Sequence, residues 1–260
     1  MSRSRLLKWG QGLVGLVSMV VVLELLPRVG VVSSDYLPPF STMMEALVTK
    51  LGQEQFWTAL GHSATSWAVG LAIALALGIS LGLVIGSVPV LRALTHSTIE
   101  FLRPIPSVAL IPLVSLLFAT GIESTLVLVV YASLWQVLIQ VLYGVQDVDP
   151  VVRETARSYR FGAWAQVRNV VWPTALPYVM TGFRLAATVA LVLTITAELV
   201  IGSPGIGKEI AVAQNSGNVP SMYALVLVTG VLGVLVNLFA RAVERRTLAW
   251  HPSLRAEALA

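Results

Sequence analysis

The sequence predicts an all-α integral membrane protein with about six transmembrane helices. Of the 260 residues, 56% are hydrophobic and only 12% are charged, and the mean hydropathy is +0.82. A soluble domain has about 25% charged residues, so the apolar excess is expected to face lipid. The apolar runs are long and do not alternate, which favours helices over a β-barrel, the other structure that satisfies its backbone in lipid.

Six stretches reach or approach the roughly 20 apolar residues that cross a bilayer. They are Trp9–Leu26, Ala64–Val88, Ile105–Ala119, Thr125–Leu142, Tyr178–Ile201 and Met222–Ala240. The third stretch is short and begins with Pro104 and Pro106, so we expect it either to be kinked or to gain length from Ser97–Leu102. The first stretch lacks an Ala-X-Ala cleavage site after it, which favours an uncleaved span over a secretory signal.

The positions of Lys and Arg predict that both termini are cytoplasmic. With that orientation, thirteen of the 17 basic residues lie in inner segments and three, Arg28, Lys50 and Lys208, lie in outer segments. Arg184 lies just inside the fifth span. Because inner loops carry the excess of Lys and Arg, the net charge of +4 reflects membrane orientation and does not indicate nucleic-acid binding.

The longest inner loop covers residues 147–177. Asp149 is placed to cap a helix that Pro150 starts, since proline fits the first helical position. Gly162 is expected to divide the following amphipathic stretch into two short helices, and Pro173 and Pro177 mark the start of the fifth span. From the residues alone, this loop is either a docking surface for a partner or an interfacial helix that lies on the lipid headgroups.

At this loop the chain resembles the EAA loop of the permease subunits of binding-protein-dependent ABC importers. The matching run is Glu154-Thr155-Ala156, followed by Gly162 and Trp172-Pro173. It departs from the family pattern in two places: Arg160 holds the usual glycine position, and Trp172 replaces the usual leucine. Four further segments resemble the nitrate, sulfonate and taurine branch: Leu102–Leu113, Thr174–Tyr178, Gly182–Ala186 and Ala197–Leu199.

The resemblance covers about residues 36–246 and implies one permease domain, 1–260, in a bacterial inner membrane. It further implies a second permease copy, usually an identical one, two cytoplasmic ATPase subunits and a periplasmic or extracellular substrate-binding protein. ATP and magnesium are then expected on the partner ATPase, so this chain needs no cofactor and is not itself an enzyme. The residues expected to couple the ATPase to the spans are Glu154, Ala156, Arg157, Arg160 and Gly162.

Three polar or small-residue features lie within the spans. Gly78, Gly82 and Gly86 share one helical face, a spacing that lets two helix backbones approach closely; packing within one subunit is the favoured interpretation, and a dimer seam is compatible with it. Glu198 either lines the transport path or a gate, or forms a hydrogen bond that fixes helix packing, which we slightly favour. Arg184 is expected to reach the headgroups or pair with a loop carboxylate rather than contact a transported anion.

The run Gly202–Glu209 is similar to a phosphate-binding loop, yet Glu209 replaces the Ser or Thr that would hold magnesium. We interpret it as the glycine-rich turn after the fifth span. The chain has no cysteine and its three histidines are isolated, so no metal site is predicted. Two other functions compete with the importer: a secondary transporter driven by an ion gradient, and a membrane scaffold that does not transport. The branch implies a small anion, such as nitrate, a sulfonate or taurine, as the solute.

Overall fold

A computed structural model describes residues 3–250, with side chains from Val14 onward. Eleven α-helices make up most of this part of the chain, and it contains no strand. They are α1 (Arg3–Arg28), α2 (Phe40–Leu51), α3 (Glu54–Ser87), α4 (Pro89–Leu102), α5 (Ile111–Phe118), α6 (Ile122–Gln146), α7 (Pro150–Ser158), α8 (Ala163–Gln166), α9 (Trp172–Ile201), α10 (Ile206–Asn215) and α11 (Val219–Thr247). A 3-10 turn, Ser107–Leu110, precedes α5, and a π turn, Val167–Val171, joins α8 to α9.

The all-helical membrane fold is confirmed. Four helices are long and apolar enough to cross a bilayer: α3, α6, α11 and the continuous helix Ala163–Ile201. Helix α1 covers the predicted first span. Within that span, the structure does not describe the side chains of Trp9, Gln11 and Leu13. The third predicted span takes a different form, because α4 and the segment Ser107–Phe118 meet at an angle of 80°.

This break in the third span follows from its prolines. Pro104 and Pro106 lack the backbone N–H that would continue the helix of α4, and each disfavours helical geometry at the residue before it. The predicted stretch Ile105–Ala119 is therefore only one arm of a bent helix pair, and α4 is the other arm. Helix α4 begins at Pro89, well before the Ser97–Leu102 segment from which extra length was expected.

Helices α3 and α6 run parallel and pack through a ladder of glycine against valine. Gly70, Gly78, Gly82 and Gly86 on α3 face Val129, Val137, Val141 and Val145 on α6 at a constant register. A Cβ atom added to Gly78 would lie 2.7 Å from Cβ of Val137, inside normal contact distance. The glycine face named in the sequence thus packs within the subunit, as small residues do where helices approach closely in lipid.

Helix α9 runs antiparallel to both and completes the core. Its buried face is mostly alanine, with Ala186, Ala187 and Ala190 fully excluded from solvent. Trp67 of α3 donates from its indole nitrogen to the carbonyl of Ala187, at 2.9 Å. Gly144 of α6 lies against Ala175 near the start of α9. Small side chains and close backbones therefore hold the three central helices together.

The bundle has two distinct ends. At one end lie the last turns of α3, α6 and α11 together with α7, α8 and the start of α9, and most arginines lie here; we call it the arginine-rich end. At the other lie α2, α10 and the end of α9, close to Glu198; we call it the Glu198 end. Helix α2 packs on α11 there, and Ser203 donates to the carbonyl of Gly121, which links the loops before α6 and after α9.

Candidate functional site

The first candidate site is the segment between α6 and α9 at the arginine-rich end. The Asp149 side chain accepts a hydrogen bond from the backbone N–H of Val151 at 2.7 Å, and Pro150 is the first helical residue of α7. This is the predicted cap. It satisfies one of the free N–H groups at the start of a helix.

The predicted division into two helices is present, but its geometry differs. Helix α7 ends at Ser158 and α8 begins at Ala163. The residue in the left-handed conformation is Arg160, with φ +59°, whereas Gly162 has an ordinary φ of −64°. Arg160 occupies the position where the family pattern has glycine, the residue that adopts the left-handed conformation at least cost.

The second helix does not stop at the prolines. Helix α8, the π turn and α9 form one continuous helix from Ala163 to Ile201. Pro173 lacks the N–H that would bond to the preceding turn, and the π turn Val167–Val171 lies at that place. Pro173 lies in the first turn of α9, and the helix extends back from it by ten residues to Ala163. That the two prolines mark the start of the fifth span stays a prediction.

The coupling segment, residues 147–171, is anchored to the bundle and still exposes apolar side chains. Ala156 is buried, and Arg153 donates to the carbonyl of Val145 at 3.3 Å. Val151, Tyr159 and Trp164 are 70%, 76% and 75% exposed. Exposed apolar groups rimmed by charge are typical of an interaction surface.

The charged residues of the coupling segment surround a small groove. It has a volume of about 430 Å³, and its charged lining residues are Arg92, Arg153, Glu154 and Arg157. Glu154 is exposed and has no ion pair or hydrogen bond among residues 3–250. Its carboxylate is thus available to a basic group of another protein.

The second candidate site is the Glu198 network at the opposite end. Glu198 is fully buried, and its Oε2 atom accepts from the Ser63 hydroxyl at 2.7 Å and from the backbone N–H of Gly207 at 3.0 Å. The Ser63 oxygen in turn accepts from the N–H of Ile206 at 2.8 Å. A single carboxyl group and a single hydroxyl therefore join α3, α9 and α10.

The glycine-rich run after α9 completes this network. It is a turn followed by helix α10, which the sequence analysis did not predict. A Cβ atom at Gly205 would overlap the Glu198 carboxyl group, and one at Gly207 would lie 2.7 Å from Glu198 Cβ. At the start of α10, the Gly207 N–H thus donates to the carboxyl group of Glu198 and the Ile206 N–H donates to the Ser63 hydroxyl.

Arg184 lies near the arginine-rich end of α9 and is about half exposed. Its guanidinium lies 3.7 Å from the Glu244 carboxylate on α11. The partner is thus on a helix, whereas the sequence analysis considered a loop carboxylate. This pair ties α9 to α11 at the end opposite to Glu198.

The structure does not bring all the candidate residues together. The coupling residues lie at the arginine-rich end, Glu198 lies at the other end, and the ladder Gly78, Gly82 and Gly86 lies between them. Ser63 was missed, because nothing in the sequence distinguishes it from the other hydroxyl residues of α3. Arg92 was missed as a member of the groove beside Glu154, since α4 was not expected to fold back along α6.

These features are those of an all-helical integral membrane protein. The sequence matches the family described as the inner membrane component of binding-protein-dependent transport systems over residues 74–249, and the chain belongs to that family.

Named relatives of the chain are also permease proteins of transport systems. The chain is 31% identical to SsuC of Escherichia coli (strain K12), a permease protein named for aliphatic sulfonates transport, over 91% of this chain and 90% of that one. It is 29% identical to the taurine transport system permease protein TauC of the same organism, over 85% and 82%. It is 30% identical to the bicarbonate transport system permease protein CmpB of Synechococcus elongatus, over 73% and 68%.

Solved structures share the fold. A chain of a bacterial ABC transporter that imports the acidic polysaccharide alginate matches with a TM-score of 0.64 and 17% identity, over 93% of this chain and 99% of that one. A chain of the MetNI methionine ABC transporter, in an inward-facing conformation, matches with a TM-score of 0.60 and 18% identity, over 79% and 97%.

Proposed function

We propose that this permease forms half of the path for a small anion and is driven by separate ATPase subunits that bind the coupling segment. The observation that carries the proposal is the construction of that segment. It is capped by Asp149, held to α6 through Arg153, and continuous with the long helix that ends beside Glu198. Force applied to it therefore reaches the transmembrane helices directly.

The exposed face of the segment suits a protein partner better than lipid headgroups. Val151, Tyr159 and Trp164 supply apolar contact area, and Glu154 supplies an acidic group with no partner among the described residues. A helix that lay on an anionic membrane would gain from its arginines and lose from an exposed carboxylate. ATP and magnesium belong to the ATPase in this scheme, and no step of hydrolysis involves this chain.

The proposal also includes a substrate-binding protein and a second permease copy, and it assigns each end of the helix bundle to one side of the membrane. The arginine-rich end is cytoplasmic, as the excess of arginine indicates, and the Glu198 end receives the substrate-binding protein. A second copy of the chain supplies the other half of the path. An anionic solute is supported by the relatives named for sulfonates, taurine and bicarbonate. The ion-gradient alternative is less well supported, since the relatives are permease proteins of binding-protein-dependent transport systems.

Co-purification of the ATPase with Glu154→Lys tests the coupling assignment. We expect the variant to insert normally and to lose both ATPase association and uptake, because it places a positive charge against a basic partner. Glu45→Lys, an exposed change on α2 at the other end, is the matched control and should retain the ATPase. Normal association and uptake in Glu154→Lys would refute the assignment.

Cysteine labelling tests the orientation independently. The chain has no cysteine, so single cysteines at exposed Tyr159 and exposed Glu45 give clean reporters. A membrane-impermeant maleimide added to intact cells should label Glu45→Cys and leave Tyr159→Cys unlabelled until the membrane is opened. Labelling of Tyr159→Cys from outside would overturn the cytoplasmic placement.

A further inference from the structure

The third span contains a break at a depth where a membrane protein rarely exposes its backbone. The hydroxyl of Tyr131 donates to the carbonyl of Leu102, the last residue of α4, at 2.8 Å. Tyr131 lies about 22 Å along α6 from Gln146 and about 14 Å from Ile122, at 1.5 Å per residue. The break, residues 103–106, therefore lies beside the middle part of α6 and not beside either of its ends.

The break carries exposed side chains. Arg103, Pro104 and Pro106 are exposed on the chain. Irregular backbone at membrane depth occurs only where it is buried in protein or lines a water-filled cavity. A groove of about 980 Å³ runs beside it between α4 and α6, from Arg103 to Gln146 at the arginine-rich end. The groove thus connects the break to one side of the membrane.

The charges of this groove are predominantly positive. Its charged or titratable side chains are Arg92, His96, Glu100, Arg103 and Tyr143. His96 and Glu100 face each other, with Nδ1 3.5 Å from a carboxylate oxygen. The guanidinium groups of Arg92 and Arg103 have no ion pair or hydrogen bond within residues 3–250. An ionisable residue inside a span is costly and is by default a functional one.

We infer that Arg103, at the break of the third span, is an oxyanion-binding residue of the transport path, and that Arg92 continues that path toward the arginine-rich end. The planar guanidinium presents paired N–H donors that match the oxygens of a sulfonate, nitrate or carboxylate group. This inference rests on the proposed function and specifies the group on the solute that the chain recognises.

Uptake by the complete transporter in proteoliposomes tests the inference, with radiolabelled methanesulfonate and nitrate as probes. We expect Arg103→Gln to lower uptake of the preferred anion by roughly 10- to 100-fold, the loss that follows removal of one charged hydrogen-bond donor. Arg103→Lys keeps the positive charge but lacks the paired N–H donors of the guanidinium. Its uptake should lie between that of Arg103→Gln and that of the unmodified protein. Arg241→Gln, an exposed arginine of α11 outside the groove, should transport normally.

The ATPase rate stimulated by the binding protein separates solute recognition from coupling. It should persist in Arg103→Gln while uptake falls. Loss of both, or an equal loss in Arg241→Gln, would show a structural role and overturn the inference. Anion uptake at the normal rate in Arg103→Gln would also overturn the inference. If the unmodified transporter assembles but imports neither anion with ATP, the proposed function is refuted instead.

Lipid composition separates the two sources of an oxyanion. Vesicles of zwitterionic lipid alone contain no free anionic headgroup, and vesicles doped with phosphatidylglycerol do. If the Arg103→Gln defect is equal in both, the ligand is the solute, as inferred. If the defect appears only with phosphatidylglycerol, the arginine binds a lipid headgroup of net negative charge and the solute site is refuted.

Discussion

Ser63 is the hydroxyl through which α3 holds both α9 and α10, and its removal gives a prediction with a calculable size. It donates to Glu198 at 2.7 Å and accepts from the N–H of Ile206 at 2.8 Å. Ser63→Ala leaves that buried N–H unsatisfied, which costs about 1–3 kcal/mol, and removes one further hydrogen bond worth about 1 kcal/mol. The expected loss of unfolding free energy is therefore about 2–4 kcal/mol.

Unfolding in a detergent titration measures this loss, and hydrogen exchange locates it. The amides of Ile206 and Gly207 should exchange faster in Ser63→Ala, because α10 loses its tie to α3, while the amides of α6 stay protected. Ser80→Ala is the matched control: its hydroxyl donates to the Ala76 carbonyl of its own helix on an exposed face, so its loss should cost under about 0.5 kcal/mol.

A double-mutant cycle with Glu198→Ala completes the test. If Ser63 acts through Glu198, the two losses are not additive, and an interaction energy of about 0.5–3 kcal/mol is expected. A Ser63→Ala protein as stable as Ser80→Ala, with unchanged exchange at Ile206 and Gly207, would refute the network as a structural tie.

Three further predictions concern the helices that carry the coupling segment. Arg160→Gly should stabilise the bend between α7 and α8 by about 1 kcal/mol, because glycine adopts a positive φ without the steric cost. Hydrogen exchange of the backbone amides in the bend should therefore slow, and unchanged or faster exchange would contradict this. Gly82→Ala should destabilise the protein by about 1–3 kcal/mol, since its Cβ would lie 2.7 Å from Cβ of Val141. Gly61→Ala, with no atom within 4 Å, is the control, and equal unfolding free energies for the two variants would refute the close contact. Asp149→Ala should fray the first turn of α7 at a cost of about 1 kcal/mol, seen as faster exchange there, and full protection would show that the cap is dispensable.

Much of the fold follows from the sequence because lipid imposes a strong and simple constraint. The long apolar runs predicted the helices of the bundle, and the Asp149-Pro150 pair predicted the start of α7, since both signals are local. The glycines at every fourth position also act locally, although the valines they face on α6 had to be seen in three dimensions.

What could not be predicted depends on contacts between distant segments. The carboxyl partner of Gly207 lies nine residues away on α9, and Ser63 lies 135 residues from Glu198. The left-handed conformation of Arg160 also departs from local preference, because it is the chain on either side that fixes the bend. The prolines of the third span indicated a kink, but an 80° break with an exposed arginine required the position of α4 along α6.

The uninterrupted helix from Ala163 to Ile201 has a mechanical consequence. Its 39 residues make a rod about 58 Å long, with one tip beside the exposed Trp164 and the other beside Glu198. A rotation of only about 5° around its middle would swing each tip by about 2.5 Å in opposite directions. If the helix moves as one body, its π turn included, a small push on the coupling segment would be felt at α10, on the far side of the membrane.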